Sequence, residues 1–338
     1  MNLKKMNIIL LGILLLACGR ANEPTEKEAS AVIANQLALL PEQTNLLIYA
    51  NLQAFKQTPF GNQLSTEFDR RTRLDREDED YREFIEQTGI VPERDIYEIW
   101  ISGFADESHH DKNKGGAVVR GQFNKEKIVG YFESKHRRDA REETFQDHKI
   151  YISRNRHDED FAFTFLNSET VAVGGEYWLK NVIEQSQKSG RSVLQNEAMA
   201  KYLDAIPQKK YLWGIVDMDG LHEHWAEAIR KGGSHYQAAK PLENMDHLIF
   251  YTEVGEKANL FLKGQFTNAE EAQTVADMLN GFKAMAKMFV SEDREAVDML
   301  NEITIRTEGS FLHVSIKMGG DFLDKWEQKR KKFEKIEL

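Results

Sequence analysis

The chain has 338 residues, of which 41% are hydrophobic and 10% aromatic; this excludes a disordered composition and allows one large or two medium cores. Acidic residues outnumber basic ones by 55 to 45, a net charge of -10 that argues against a nucleic-acid partner. A single cysteine excludes an intramolecular disulfide, so packing must carry the fold.

At the start of the chain, Lys4 and Lys5 precede an apolar run from Ile8 to Leu16, followed by Ala17 and Cys18. A basic segment, a short apolar core and a small residue before the cut read as a secretory signal, because the run is too short to span a bilayer as a mature helix. The cysteine at the cleavage point makes it a lipoprotein signal. Residues 1–17 are expected to be removed, and Cys18 to carry the acyl chains, palmitate among them. The membrane is then a partner through the lipid anchor, and losing Lys4 and Lys5 takes the balance from -10 to -12. This places the protein in the bacterial cell envelope. Gly19 stands where an aspartate would favour inner-membrane retention, which points to the outer membrane, facing the periplasm. Residues 18–26 form a short polar tether, and Thr25 with Glu28 has capping-box spacing for a following helix.

That helix sets Ile33, Leu37 and Leu40 on one face, stops at Pro41, and leads into a strand at residues 45–52. Phe60, Leu64 and Phe68 mark a second amphipathic helix. Tyr81, Phe84 and Ile85 mark a third, which Gly89 is expected to end. Strands follow at 96–101, 116–122, 148–153, 161–165 and 170–173, and a helix after Gly174-Gly175. In the second half strands are expected at 247–254 and 259–265, a helix from Ala269 to about Val290, strands at 302–307 and 311–317, and a final helix.

The order repeats. Met199, Leu203 and Ile206 before Pro207, then Leu212 to Asp217, take the places of the first helix and strand at an offset of 166. Arg120-Gly121-Gln122-Phe123 matches Lys263-Gly264-Gln265-Phe266, and the pair Gly174-Gly175 matches Gly319-Gly320. Three matches in one order indicate an internal duplication, with a first half at 27–190 and a second at 191–338. The expected class is α+β: two related halves, each a mainly antiparallel sheet with helices packed on one face.

Chemistry is sparse. The run Asp75 to Asp80 lacks the ligand spacing of a calcium loop and reads as a solvated helix start. His109-His110 and His222-Glu223-His224 lack zinc spacing, the latter pair facing about 200° apart on a helix. No nucleophile elbow, dinucleotide fingerprint or Walker loop is present, so no catalytic residues, metal ligands or cofactors are assigned. Asp217 and Asp219 flank a strand end, but the first half has Asn51 and Gln53 there.

Two apolar features remain. The helix from Ala269 carries Met278, Phe282, Met285 and Phe289, together with Leu279 and Met288. Such a stripe is ordinarily core, and the alternative is an adaptable ligand-binding face. The last helix sets Phe322, Trp326, Phe333 and Ile336 along one side with Lys325, Lys329, Arg330, Lys331, Lys332 and Lys335 around them. It could dock on the body, or meet a membrane surface or a partner through Trp326, Lys329, Arg330, Lys331, Lys332 and Phe333.

Leu40-Pro41-Glu42-Gln43-Thr44, Pro59-Phe60-Gly61 and Thr88-Gly89-Ile90-Val91-Pro92-Glu93-Arg94-Asp95 carry a resemblance, clearest over residues 39–130. The chain resembles uncharacterised bacterial lipoproteins and periplasmic proteins of a domain-of-unknown-function type. The resemblance implies an extracytoplasmic α+β domain with no assigned activity and no catalytic residues to transfer. The expected role is therefore non-catalytic binding or scaffolding in the cell envelope, with an envelope protein as partner. A carrier of a lipid or other apolar ligand is the alternative. An envelope hydrolase using Asp217, His222 and His224 stands third. Cys18→Ser is expected to abolish incorporation of labelled palmitate; label retained on the variant would exclude Cys18 as the anchor.

Overall fold

In a computed structural model the described residues are 33–74, 79–104, 114–136, 139–154, 160–188, 190–206, 210–218 and 240–319. The signal, Cys18, the tether, most of the acidic run and the final segment from residue 320 lie outside them. The architecture is α+β, with antiparallel sheet pairing throughout the described strands. The chain divides into two compact units after Pro207.

The first unit opens with residues 33–37 in a helix whose Leu37 is buried, as is Leu40 beyond it. Strand β1 (Leu46–Asn51) follows, and Asn51 then caps helix α1 (Leu52–Gln57) by accepting from the Ala54 N–H at 2.8 Å. Helices α2 (Pro59–Leu74) and α3 (Glu79–Thr88) come next, and α3 ends where Gly89 takes a φ of +74°, as the glycine signal anticipates. A short turn of helix, α4 (Pro92–Asp95), enters β2 (Ile96–Gly103) and β3 (Gly115–Gly121). After them come α5 (Lys125–Lys135), β4 (Ala140–Phe145), β5 (His148–Arg154), β6 (Asp160–Phe165), β7 (Thr170–Gly174) and α6 (Glu176–Ser186).

The strand order is β1-β2-β3-β7-β6-β5-β4, so the last strand of the meander returns to pair with the third. One cross-strand row runs Tyr49, Trp100, Val118, Ala172, Thr164, Ile150, each the register partner of the next, and all six are buried. Above this face lies α6, which buries Trp178, Leu179, Val182 and Ile183. The Trp178 indole N–H donates to Ser102 Oγ at 2.9 Å, and a Cβ on Gly116 would lie only 2.5 Å from the Trp178 ring. Gly116 is a glycine because an aromatic ring occupies the space of its side chain.

Alternation along the strands turns Tyr151, Phe163 and Val173 to the other face, where Phe132 of α5 joins them in an aromatic cluster. Helices thus cover both faces of the first sheet, which corrects the expectation of helices on one face. The physical reason is that both side-chain sets of β5 to β7 are apolar and each needs a cover.

Residues 190–206 belong with the first unit by their bonds. Ser192 bridges to Pro41, the Val193 N–H donates to Leu40 O at 2.9 Å, and Asn196 Nδ2 donates to Glu42 O at 3.0 Å. Helix α7 (Glu197–Asp204) follows, with Met199 buried. The repeat places this helix in the second half by sequence, whereas these bonds join it to the first unit.

The second unit holds β8 (Leu212–Asp217), β9 (Met245–Val254) and β10 (Ala258–Phe266), then α8 (Ala269–Phe289), α9 (Arg294–Asn301), β11 (Ile303–Glu308) and β12 (Phe311–Met318). Its order is β11-β12-β10-β9-β8, and again the last strand pairs with the third. Helix α8 packs on β10, β11 and β12, burying Ala272, Val275 and Ala276 against Met245, Phe266 and Leu312.

Trp178→Ala is expected to lower stability by about 3–5 kcal/mol, the range for removing a buried aromatic ring. Ser102→Ala should cost only about 1 kcal/mol, the net value of one hydrogen bond. Urea midpoints of the two variants measure the difference; equal shifts would contradict the packing role given to the ring.

Candidate functional site

Helix α8 starts at Asn268, whose Oδ1 accepts from the Glu271 N–H at 3.0 Å, with Glu270 and Glu271 in the first turn. Helix α5 of the first unit begins in the same way, with Asn124 Oδ1 accepting from the Lys127 N–H at 3.0 Å, just after Arg120-Gly121-Gln122-Phe123. The two helices then part. From its cap α5 runs 11 residues and α8 runs 21, so the second half of α8 is an extension without counterpart in α5.

That extension is apolar and open to solvent. Phe282, Met285, Met288 and Phe289 are 44%, 48%, 76% and 84% exposed. Taking about 200 Å² for each such side chain, the patch is on the order of 500 Å², at the upper end for the largest apolar patch of a monomer. Among the described residues the other large apolar side chains exposed to this degree are Tyr177 and Leu194, which are far from it in sequence.

At 100° per residue, Met278, Phe282, Met285 and Phe289 fall within an arc of about 60°, next to the stripe of buried Ala272, Val275 and Ala276 and half-buried Leu279. Their steps of four, three and four residues match the a and d positions of a heptad, the pattern by which one helix receives another. Met278 is half-buried and packs on the core of the unit. The reading of the whole stripe as core is thus corrected for Phe282, Met285, Met288 and Phe289: α8 outruns the part of the sheet that could bury them. Lys283 anchors the extension, its amine donating to the Ile303 carbonyl at the start of β11. Burial, and then the neighbouring charge of Lys287, hold the Lys283 pKa below its usual range.

A second cluster lies in the first unit. Glu98 is buried and accepts from Tyr49 Oη at 3.0 Å, from Asn51 Nδ2 at 3.3 Å and from Arg120 Nε at 2.7 Å. Burial first, and the Glu98 charge second, push the Tyr49 phenol far above its usual range, so it acts as a neutral donor. The carboxylate has three donors and the guanidinium lies over the Tyr97 ring, 5.7 Å from its centroid. Such saturation suits a pin joining β1, β2 and β3 better than acid–base chemistry.

Asp217 ends β8 opposite His247 of β9, and His247 is buried. His247 escaped sequence reasoning because nothing in local spacing pairs it with Asp217; only strand register does. Cys18, His109, His110, Asp219, His222, His224, Trp326, Lys329, Arg330, Lys331, Lys332 and Phe333 lie outside the described residues. Among the described residues no group of three or more His, Cys, Asp or Glu side chains could hold a metal ion.

No family model, no curated protein and no solved structure matches the chain. The geometry of α8 therefore carries the functional reading. Replacing Phe282 and Phe289 together by Ser should change stability by no more than about 0.5 kcal/mol per site, as for surface positions. Phe266→Ala, at a buried site, should cost about 3–5 kcal/mol. Calorimetric midpoints test both, and a large loss in the double variant would mean that the extension is part of the core.

Proposed function

We propose that this protein is a lipid-anchored, non-catalytic binding or scaffolding protein of the bacterial cell envelope, held through Cys18 at the outer membrane and facing the periplasm. The observation that carries the binding role is the exposed apolar extension of α8, with Phe282, Met285, Met288 and Phe289 on one helix end. Exposing such a surface has a solubility cost, and a partner that covers it offsets that cost. Aromatic and methionine side chains adapt to a partner without directional bonds, and they are the residue types that concentrate at the centres of interfaces.

The two units, on this reading, descend from one duplicated α+β half. Both run a three-strand meander, then a helix with an Asn cap, and both return their last strand to pair with the third. The Arg120-Gly121-Gln122-Phe123 and Lys263-Gly264-Gln265-Phe266 matches precede the two capped helices. Duplication leaves one copy free to diverge, and the extension of α8 is where this copy departs from its counterpart.

A photoreactive amino acid at position 285 of the full-length protein in its native cells is expected to give a discrete protein adduct. Replacing Phe282 and Phe289 by Ser should weaken it about 30-fold, the effect of losing about 2 kcal/mol at an interface centre. Adducts to lipid alone would overturn the scaffold reading in favour of a carrier.

A further inference from the structure

We propose that a second copy of this chain docks on the apolar extension of α8, the two α8 helices running antiparallel about a two-fold axis that passes between Phe282 and Met285. The inference rests on the reading of the extension as a docking surface, and it names the partner.

The first argument is the order of residue types along the seam. Met278, Phe282, Met285 and Phe289 are spaced by four, three and four residues, a spacing that reads the same in both directions. A reversed copy therefore sets Met278 level with the partner's Phe289, and Phe282 level with the partner's Met285, and the two-fold axis repeats each pair. Methionine and phenylalanine alternate, so every level joins a thioether to an aromatic ring, a contact favoured by the polarizable sulfur. A parallel copy would set Met on Met and Phe on Phe and form none of these pairs.

The second argument is what flanks the seam. In this pairing Met288 lies within about 3 Å, along the axis, of the partner's Gly281 and on the same side of the seam. Met288 is 76% exposed, and a Cβ built on Gly281 would meet nothing within 4 Å among the described residues, so a projecting side chain faces an open place. Symmetry makes the fit reciprocal. Charge does not oppose it. Asp277, Lys283 and Lys287 fall about 110°, about 130° and about 170° from the centre of the seam, so like charges of the two copies stay apart. A second copy carries both the Met and Phe order and the gap by identity, whereas an unrelated helix would have to match them.

The third argument is area. With a patch on the order of 500 Å² on each copy, the pair would bury about 1,000 Å² in total; this reaches the lower bound of a specific interface and falls short of the roughly 1,200–2,000 Å² of a stable complex. The dimer is therefore weak and concentration-dependent. Each copy keeps its own core, in which Met245, Phe266 and Leu312 are already buried under α8, so the monomer needs no partner to fold. Copies held by lipid on one membrane would meet at a raised effective concentration.

The test uses the full chain carrying Cys18→Ser, which removes its only cysteine. One preparation also carries Met278→Cys and the other Phe289→Cys, and circular dichroism checks that both keep the fold. Mixed and mildly oxidised, they should form a disulfide between position 278 of one chain and position 289 of the other, mapped by mass spectrometry. Each preparation alone should give little dimer, because in the antiparallel pair identical positions lie about 16 Å apart along the axis. Without added cysteines, sedimentation over about a hundredfold range of concentration should show a dimer growing from monomer, as a weak interface requires. Gly281→Glu should weaken that dimer about tenfold or more with the melting midpoint unchanged, since its carboxylate meets no neighbour in the monomer and is forced against Met288 in the pair. Self-disulfides in place of the mixed one, a monomer at every concentration, or a dimer indifferent to Gly281→Glu would each overturn the proposal. The photoreactive residue at position 285 of the full-length protein in its cells separates the two readings. An adduct of twice the chain's mass supports the second copy, an adduct with a different protein alone removes it while the docking surface stands, and no protein adduct removes both.

Discussion

An antiparallel sheet whose strands are apolar on both sides must be covered on both sides, and the first unit is organised by that requirement. The row from Tyr49 through Trp100, Val118, Ala172 and Thr164 to Ile150 is buried, and it stays dry because α6 lies over it. The Phe132, Tyr151 and Phe163 cluster seals the other side through α5. Gly116 leaves room for the Trp178 ring, Ser102 satisfies its indole, and Thr164 donates its hydroxyl to Lys149 O at 2.9 Å within the row. The Trp178 indole and the Thr164 hydroxyl thus each have a partner, as burial demands. The Glu98 cluster applies the same rule to a charge. Arg120, Asn51 and Tyr49 converge on a carboxylate that would otherwise be costly to desolvate.

The second unit satisfies the constraint differently. Its α8 seals Phe266, Met245 and Leu312 with small residues, Ala272 and Ala276, which let the helix approach the sheet closely. Small residues suffice where the helix lies on the sheet. Beyond that stretch the helix continues, and the apolar residues change from alanine to phenylalanine and methionine just where there is no sheet to bury them. A helix that merely overshot its core would be expected to turn polar at its free end. The retention of large, exposed apolar side chains there sets α8 apart from a helix that simply ends in solvent.

Much of the fold was legible because strand periodicity and glycine punctuation are local signals. The strands at 148–153 and 311–317, the α8 boundaries and the stop at Gly89 all follow from residues within a few positions of each element. Helix α5 was missed because Ile128, Val129 and Phe132 are its main apolar residues and Gly130 interrupts it, which leaves a weak periodic signal. Strand β4, Ala-Arg-Glu-Glu-Thr-Phe, reads as polar because it is a sheet-edge strand paired only with β5 among the described residues. The candidate surface was half legible: the spacing of Met278, Phe282, Met285 and Phe289 was plain, but periodicity cannot say whether a stripe meets a sheet or solvent.

The sequence by itself determined the local chemistry of this protein: a single cysteine after an apolar run, the Asn caps, the turn glycines and the period of each strand and helix. These are set by neighbours a few bonds away, so no tertiary context was needed. Which side of each sheet a helix covers, the convergence of Tyr49, Asn51 and Arg120 on Glu98, and the solvent exposure of Phe282 and Phe289 were decided only by the tertiary structure. The reason is that burial is a relation between segments remote in sequence. The same methionine or phenylalanine is core or surface according to how far the helix that carries it extends beyond the sheet beneath it.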